Sequence, residues 1–202
     1  EFIRSKLGLI YDANREAEKK YGYKFNTEFV PAENLGVNNS LWDKRDGLMV
    51  NRDCYNSYFY LVENEDCNPI DKMVLHGTES MMYLDGGSAL HLNLEEKLSE
   101  AGYLRLIEAA ARAGCNYWCV NVKVTICNRC HAIDKRTLNE CPSCGSRDID
   151  YGTRVIGYLK RISSFSGARQ KEARKRYYHL PRTAKSKSDV TEPLREGRQA
   201  MT

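Results

Sequence analysis

Two short cysteine pairs restrict this chain more than any other feature: Cys127-Asn128-Arg129-Cys130 and Cys141-Pro142-Ser143-Cys144-Gly145, with ten residues between them. Thiolates at i and i+3 on one tight turn can share a tetrahedral ion, and a second such turn across a short hairpin supplies the other two ligands. The segment 126–147 is therefore expected to fold as a ribbon around a metal held by Cys127, Cys130, Cys141 and Cys144. Zn²⁺ with four sulfur ligands is the expected occupant; an iron–sulfur cluster is the chief rival, because four thiolates suit either. Four sulfurs leave no open position for water, so the expected role of the ion is structural. His131 adjoins Cys130 and reads as an exposed histidine rather than a competing ligand.

Eight cysteines without a secretory signal favour a reducing compartment, and the expected location is cytoplasmic. Cys54, Cys67, Cys115 and Cys119 show no ligand spacing beyond a loose i, i+4 pair and read as small buried thiols. No run of 18 apolar residues occurs, so no membrane span is expected. Glu1-Phe2-Ile3-Arg4 has no start methionine and no basic-then-apolar pattern, and reads as the middle of a longer chain. Charge is uneven. Residues 151–202 hold 13 Lys and Arg against 4 Asp and Glu, leaving 18 against 23 in the first 150. The basic end suits nucleic acid, a phosphate-bearing substrate or an acidic partner; a solvated helix face followed by a disordered tail is the plainer reading and the preferred one.

Along the chain, Leu9, Ala13, Ala17 and Tyr21 recur at helical spacing from about Ser5, with Gly22 as the stop. Phe25 to Val30 alternates as a strand, Pro31 to Asp46 reads as an irregular Asn- and Gly-rich loop, and Cys54 to Val62 as a strand buried on at least one face. Asn68-Pro69-Ile70-Asp71 reads as a turn, Lys72 to Gly77 as extended, and Asn93 to Glu96 as a helix start. A second start at Ser99 leads into a helix ended by Gly114. Tyr117 to Thr125 alternates, with Trp118, Val120, Val122 and Val124 as the more apolar, core-facing set. Ala168 to Tyr178 reads as a basic helix. Helix and strand in loose alternation predict an α/β unit, and the absence of GxxxxGK[ST] and GxGxxG loops leaves no basis for a P-loop or Rossmann enzyme.

Directly after the cysteine cluster comes Arg154-Val155-Ile156-Gly157-Tyr158-Leu159, a glycine where a strand would prefer a side chain. By itself this reads as a bend. The first five residues, however, resemble the C-terminal signature of the glycyl radical enzymes. The order of cysteine cluster, glycine loop and the segment Ser163 to His179 is similar to the C-terminal part of the anaerobic (class III) ribonucleoside-triphosphate reductases. Weaker similarity runs back through Pro31-Ala32-Glu33-Asn34-Leu35 and Asn56-Ser57, so the resemblance covers about residues 1–180.

The resemblance implies an α/β fold: residues 1–125 as the C-terminal part of a barrel, 126–147 as a zinc ribbon, 148–180 as radical loop and basic helix, and 181–202 as a disordered tail. It implies an unpaired electron on the Cα of Gly157, placed there by a separate activating enzyme using S-adenosylmethionine and a [4Fe–4S] cluster. That radical would convert a cysteine to a thiyl, which removes the 3′-hydrogen of a ribonucleoside triphosphate and labilises the 2′-hydroxyl. Formate or a small thiol protein would be the reductant and a homodimer the assembly. In the family the thiyl cysteine lies upstream of the region matched here, so this chain alone is not expected to turn over nucleotide. Gly86 and Gly87 fall beside the family's substrate site and are candidates there. Two other readings stand beside this one: a replacement subunit donating a fresh glycyl loop, and a non-catalytic zinc-ribbon module that binds nucleic acid. The cysteine ribbon argues against a glycyl radical lyase such as pyruvate formate-lyase.

Overall fold

A computed structural model describes residues 1–30, 35–55, 59–95, 97–155 and 158–180. Its centre is a strand–helix–strand unit. β3 (Leu90–Leu94) pairs in parallel with β4 (Trp118–Val122) from Leu90↔Trp118 to Leu94↔Val122, and α4 (Glu100–Arg112) makes the crossover that a parallel pair requires. α4 starts where the sequence predicts, with the Ser99 hydroxyl accepting from the Gly102 N–H at 3.2 Å. It lies with α3 (Pro69–His76) over the Leu90 and Leu92 face of β3, and Met73, Ala110, Ala113, Cys115 and Tyr60 close that core. Gly77 follows α3 in a place that admits no side chain. A Cβ there would sit 2.0 Å from the Ala113 carbonyl oxygen, so Gly77→Ala is expected to cost about 1–3 kcal/mol of stability, read as a lowered urea midpoint.

Before this unit come α1 (Phe2–Tyr21), β1 (Glu28–Phe29) and α2 (Leu35–Arg45); β1 pairs in parallel with β2 (Gly87–Ser88). After it, β5 (Val124–Cys127), β6 (Ile133–Asp134), β7 (Ile149–Val155) and β8 (Tyr158–Arg161) form an antiparallel sheet in the order β6-β5-β7-β8. α5 (Gly167–Lys175) follows. Residues Tyr177 to His179 then lie beside the β3–β4 pair, with the His179 N–H bonded to the Asn93 carbonyl and the Glu95 N–H to the His179 carbonyl. Mixed helix and sheet is thus as expected; among the described residues the parallel strands form two separate pairs.

Several local expectations are corrected. α1 ends at Gly22 (φ 75°) as expected, but its buried stripe is rotated: Leu7 is buried whereas Leu9 and Tyr21 are exposed. The expected strand from Phe25 to Val30 shrinks to β1. The stretch expected as an irregular loop contains α2, a helix held by tertiary contacts rather than propensity. The Ser40 hydroxyl donates to the Arg52 carbonyl at 2.5 Å, and Gly36 packs so closely that a Cβ would lie 2.6 Å from the Tyr55 carbonyl oxygen. The described part of Cys54 to Val62 is not a strand, although Cys54, Tyr60 and Val62 are buried as that reading requires. Asn68-Pro69 is not a turn but the cap and first residue of α3, with the Asn68 side chain accepting from the N–H groups of Ile70 (2.8 Å) and Asp71 (3.0 Å). Lys72 to His76 is accordingly helical. Asn93-Leu94 belongs to β3 and starts no helix.

Tyr117 to Thr125 is two strands, broken at Lys123, and its buried set is the polar one: Asn121 and Thr125 are buried while Trp118, Val120, Val122 and Val124 are half-buried. The three valines line, with Tyr103, Tyr158 and Leu159, an open hollow of about 380 Å³.

Candidate metal centre and the hairpin beside it

β5 ends at Cys127 and turns at once into the first cysteine pair. The Cys130 N–H points at Cys127 Sγ (3.4 Å) and the His131 N–H bonds the Cys127 carbonyl (3.1 Å). The second pair repeats this turn, with the Gly145 N–H on the Cys141 carbonyl at 2.9 Å. The residue after each pair is left-handed, His131 at φ 61° and Gly145 at φ 67°. Glycine adopts that conformation readily; histidine rarely does, so His131 contributes backbone geometry. It is exposed and stands outside the ligand cluster.

The four Sγ atoms lie within 4.8 Å of one another, with Cys127 to Cys144 and Cys130 to Cys141 both at 3.6 Å. Sulfurs at about 2.3 Å from a tetrahedral Zn²⁺ stand roughly 3.8 Å apart, whereas a disulfide needs about 2.05 Å. The donor set therefore fits a four-coordinate metal and not a pair of bridges. Backbone N–H groups, first that of Cys130, draw the Cys127 thiol down and favour its thiolate, whereas, against the Ser146 N–H, the neighbouring cysteines push the Cys144 thiol up. Cys127 and Cys141 are 1% and 2% exposed, so half the ligand set is closed to solvent.

The ribbon is tied to the sheet that carries it. Thr125 Oγ1 donates to the Arg136 carbonyl and accepts from the Leu138 N–H, both at 2.8 Å. Across the sheet Asn128 Nδ2 donates to Asp148 at 2.8 Å, and Arg161 donates to Asn128 Oδ1 at 2.6 Å. Cys127 pairs with Ile149, the first residue of β7, and β7 runs from there to Val155. Six residues of strand span about 20 Å, so the metal end and the far end of β7 are too far apart for direct chemistry and are linked mechanically. At the far end Val155 pairs with Tyr158. The two residues between them in the chain are Ile156 and Gly157, the expected radical position, and both lie outside the described residues, as do 181–202.

The remaining sequence candidates separate. Cys54, Cys67, Cys115 and Cys119 join no ligand cluster among the described residues, and burial pushes the Cys67 and Cys115 thiols up. Gly86 and Gly87 have a packing explanation. A Cβ on Gly86 would meet Asn26 and Glu28 side-chain atoms at 2.7 Å, and Gly87 has φ 92°. The basic helix is not simply a solvated face. Arg169 is buried with its guanidinium 5.2 Å from the Phe165 ring centre, Arg176 pairs with Glu172 at 2.9 Å, and Lys171 pairs with Asp53. Arg169 and Arg176 are thus engaged inside the fold and poorly placed to release counterions from nucleic acid, while Lys171, Arg174 and Lys175 form the exposed face the sequence suggests.

Sequence reading missed two buried bases. Lys72, 2% exposed, places Nζ 2.9 Å from His179 Nε2 and over the Tyr60 ring. His76, fully buried, has Nδ1 2.7 Å from Ser88 Oγ, a ring flanked by Phe29 and Phe59, and, among the described residues, no hydrogen-bond partner at Nε2. Burial, then the neighbouring His91, lowers the His76 pKa from 6.5 to about 4. The folded state therefore binds fewer protons than the unfolded one. Stability is whole above about pH 6.5 and drains as pH falls toward 4, by on the order of 3 kcal/mol for this group. Burial, then Lys72, lowers the His179 pKa to about 4 as well, so thermal melts across that range are expected to show the combined decline, and His76→Gln to reduce it.

A family model described as anaerobic ribonucleoside-triphosphate reductase matches residues 1–179. The chain belongs to the anaerobic ribonucleoside-triphosphate reductase family. Among solved structures, an anaerobic ribonucleotide reductase superimposes with a TM-score of 0.74 at 26% identity over 89% of this chain. The anaerobic ribonucleotide reductase of Thermotoga maritima in complex with dATP and CTP gives 0.67 at 26% identity over 85%, and the same enzyme with glycerol in the active site gives 0.67 at 25% identity over 85%. No curated protein sequence matched the chain. This reductase-family chain spans 29% of the length of the first of those structures and 28% of the other two. No helix of the described residues is long and apolar enough to cross a membrane.

Proposed function

We propose that this chain is the radical-bearing C-terminal part of an oxygen-sensitive enzyme that reduces ribonucleoside triphosphates to 2′-deoxyribonucleoside triphosphates. The observation that carries the reading is the family match over residues 1–179, with Arg154-Val155-Ile156-Gly157-Tyr158 at its expected place directly after the cysteine ribbon. In this reading residues 1–125 are the end of an α/β barrel, 126–147 a zinc ribbon and 148–180 the radical loop and basic helix. Cys127, Cys130, Cys141 and Cys144 hold Zn²⁺, which supplies structure only, since four thiolates leave it no open coordination position.

Gly157 is the radical site. An activating enzyme carrying a [4Fe–4S] cluster and S-adenosylmethionine removes one hydrogen atom from its Cα. The electron left behind is shared with the amide nitrogen on one side and the carbonyl on the other, which works best when the carbon is planar and carries no side chain. In turnover the Cα takes a hydrogen atom from a cysteine S–H, leaving a thiyl that abstracts the 3′-hydrogen of the substrate. The 2′-hydroxyl then leaves as water, with formate or a small thiol protein supplying the two electrons. No thiyl role falls to Cys54, Cys67, Cys115 or Cys119. The working assembly is a cytoplasmic homodimer.

Anaerobic incubation of the intact protein with its activating enzyme, S-adenosylmethionine and a ribonucleoside triphosphate tests the reaction. Deoxynucleotide is expected with formate or with a reduced thiol protein, and none after brief exposure to air. Failure with both reductants at full radical content would contradict the assignment.

A further inference from the structure

β4 and β7 belong to different sheets and share no backbone ladder. β7 pairs with β5 only as far as Val124↔Gly152, and its next residue, Thr153, is fully buried. The Thr153 hydroxyl lies 3.0 Å from Asn121 Oδ1 on β4 and 3.4 Å from the Tyr178 hydroxyl. Asn121 Nδ2 in turn donates to Asn93 Oδ1 on β3 at 2.8 Å. A threonine hydroxyl has one proton, and here it goes to an amide oxygen that has none to return. Tyr178 is therefore the donor in the second contact, and the bonds run one way, from Tyr178 through Thr153 and Asn121 to Asn93. None of the four is more than 9% exposed.

Buried polar groups in the middle of strands are costly unless paired, at roughly 1–3 kcal/mol for each group left unsatisfied. A slip of β7 by one residue would turn Thr153 to the opposite face and break its bonds to both Asn121 and Tyr178. Beyond the end of the β5 ladder at Gly152, side-chain bonds take over from backbone pairing in holding β7 against the parallel strands. Thr153 stands four residues before Gly157 in the chain.

Resting on the radical reading of Gly157, we infer that Thr153, held between Asn121 and Tyr178, is a positioning residue that sets where the β7–β8 hairpin delivers its radical. Hydrogen-atom transfer needs reacting atoms about 3–3.5 Å apart, and a displacement of about 1 Å can cost 10²-fold in rate. The decisive readout is deoxynucleotide formed per glycyl radical spin in the intact, activated protein, because that ratio is blind to molecules that fail to fold or activate.

Thr153→Val keeps the side chain's size and removes its hydrogen bonds; turnover per spin is expected to fall at least about tenfold, within the range such a displacement produces. Thr153→Ser, which restores the hydroxyl, is expected to recover most of it. Wild-type turnover per spin in Thr153→Val, or a serine variant as impaired as the valine one, overturns the inference. Should Thr153→Val not accumulate radical, Tyr178→Phe is read the same way: a reduced ratio supports the inference and an unchanged one overturns it. Absence of any radical signal in the activated wild-type protein overturns the reading of Gly157 itself, and the inference with it.

Discussion

Gly157→Ala is expected to abolish the organic radical and all nucleotide reduction while leaving metal content, circular dichroism and melting temperature near wild type. The asymmetry follows from what each property depends on. The radical needs a Cα with a removable hydrogen and two substituents that can lie in the plane of the unpaired electron. A methyl group crowds that plane and restricts φ and ψ, whereas glycine leaves them open. The fold needs none of this, because the ribbon and the strand pair are held by contacts at Cys127–Ile149, Thr125–Arg136 and Thr153–Asn121. Activity retained in Gly157→Ala would place the radical elsewhere.

Loss of the metal is expected to have the second-largest effect. Structural zinc in comparable four-ligand turns contributes apparent free energies of about 10–16 kcal/mol near neutral pH, as large as the whole stability of a typical domain. Cys127→Ser, or exhaustive chelation, should therefore unfold the ribbon rather than loosen it. Amide hydrogen exchange is the appropriate readout. Protection should vanish across β5, β6 and the first half of β7, whose pairing begins at Cys127↔Ile149, while α4 and the β3–β4 pair keep theirs. Because β7 leads to Gly157, radical yield should fall along with the metal although the ion lies about 20 Å of strand away. Elemental analysis of anaerobically purified protein is expected to give one zinc per chain; stoichiometric iron would mean a cluster instead.

What could be read beforehand follows from how local each signal is. The four cysteines were legible because their spacing is itself the geometry of the site, and α4 because Ser99 and the apolar face of the helix act over a few residues. Asn68-Pro69 carries an equally local signal but an ambiguous one, since a turn and a helix cap favour the same residues; only the burial of Met73 and His76 decides for the helix. α2 has weak intrinsic preference and exists because Ser40 and Gly36 meet the segment from Arg52 to Tyr55, contacts no window of sequence contains. On β4 the count of apolar residues pointed to the valine face. The interior is set instead by the bonded chain through Asn121, and polar residues that satisfy one another are invisible to hydrophobic patterning. The left-handed backbone at His131 had no sequence signal at all. Gly157 stood out only through family likeness, because a lone glycine in a strand is ordinarily a bend.

The most direct test of the central claim is electron paramagnetic resonance of the activated protein grown with glycine deuterated at Cα. One remaining α-hydrogen splits the signal of a glycyl radical into a doublet, so the account requires a doublet from ordinary protein and its collapse toward a single line in the deuterated one. A splitting that survives deuteration would put the unpaired electron on some other residue.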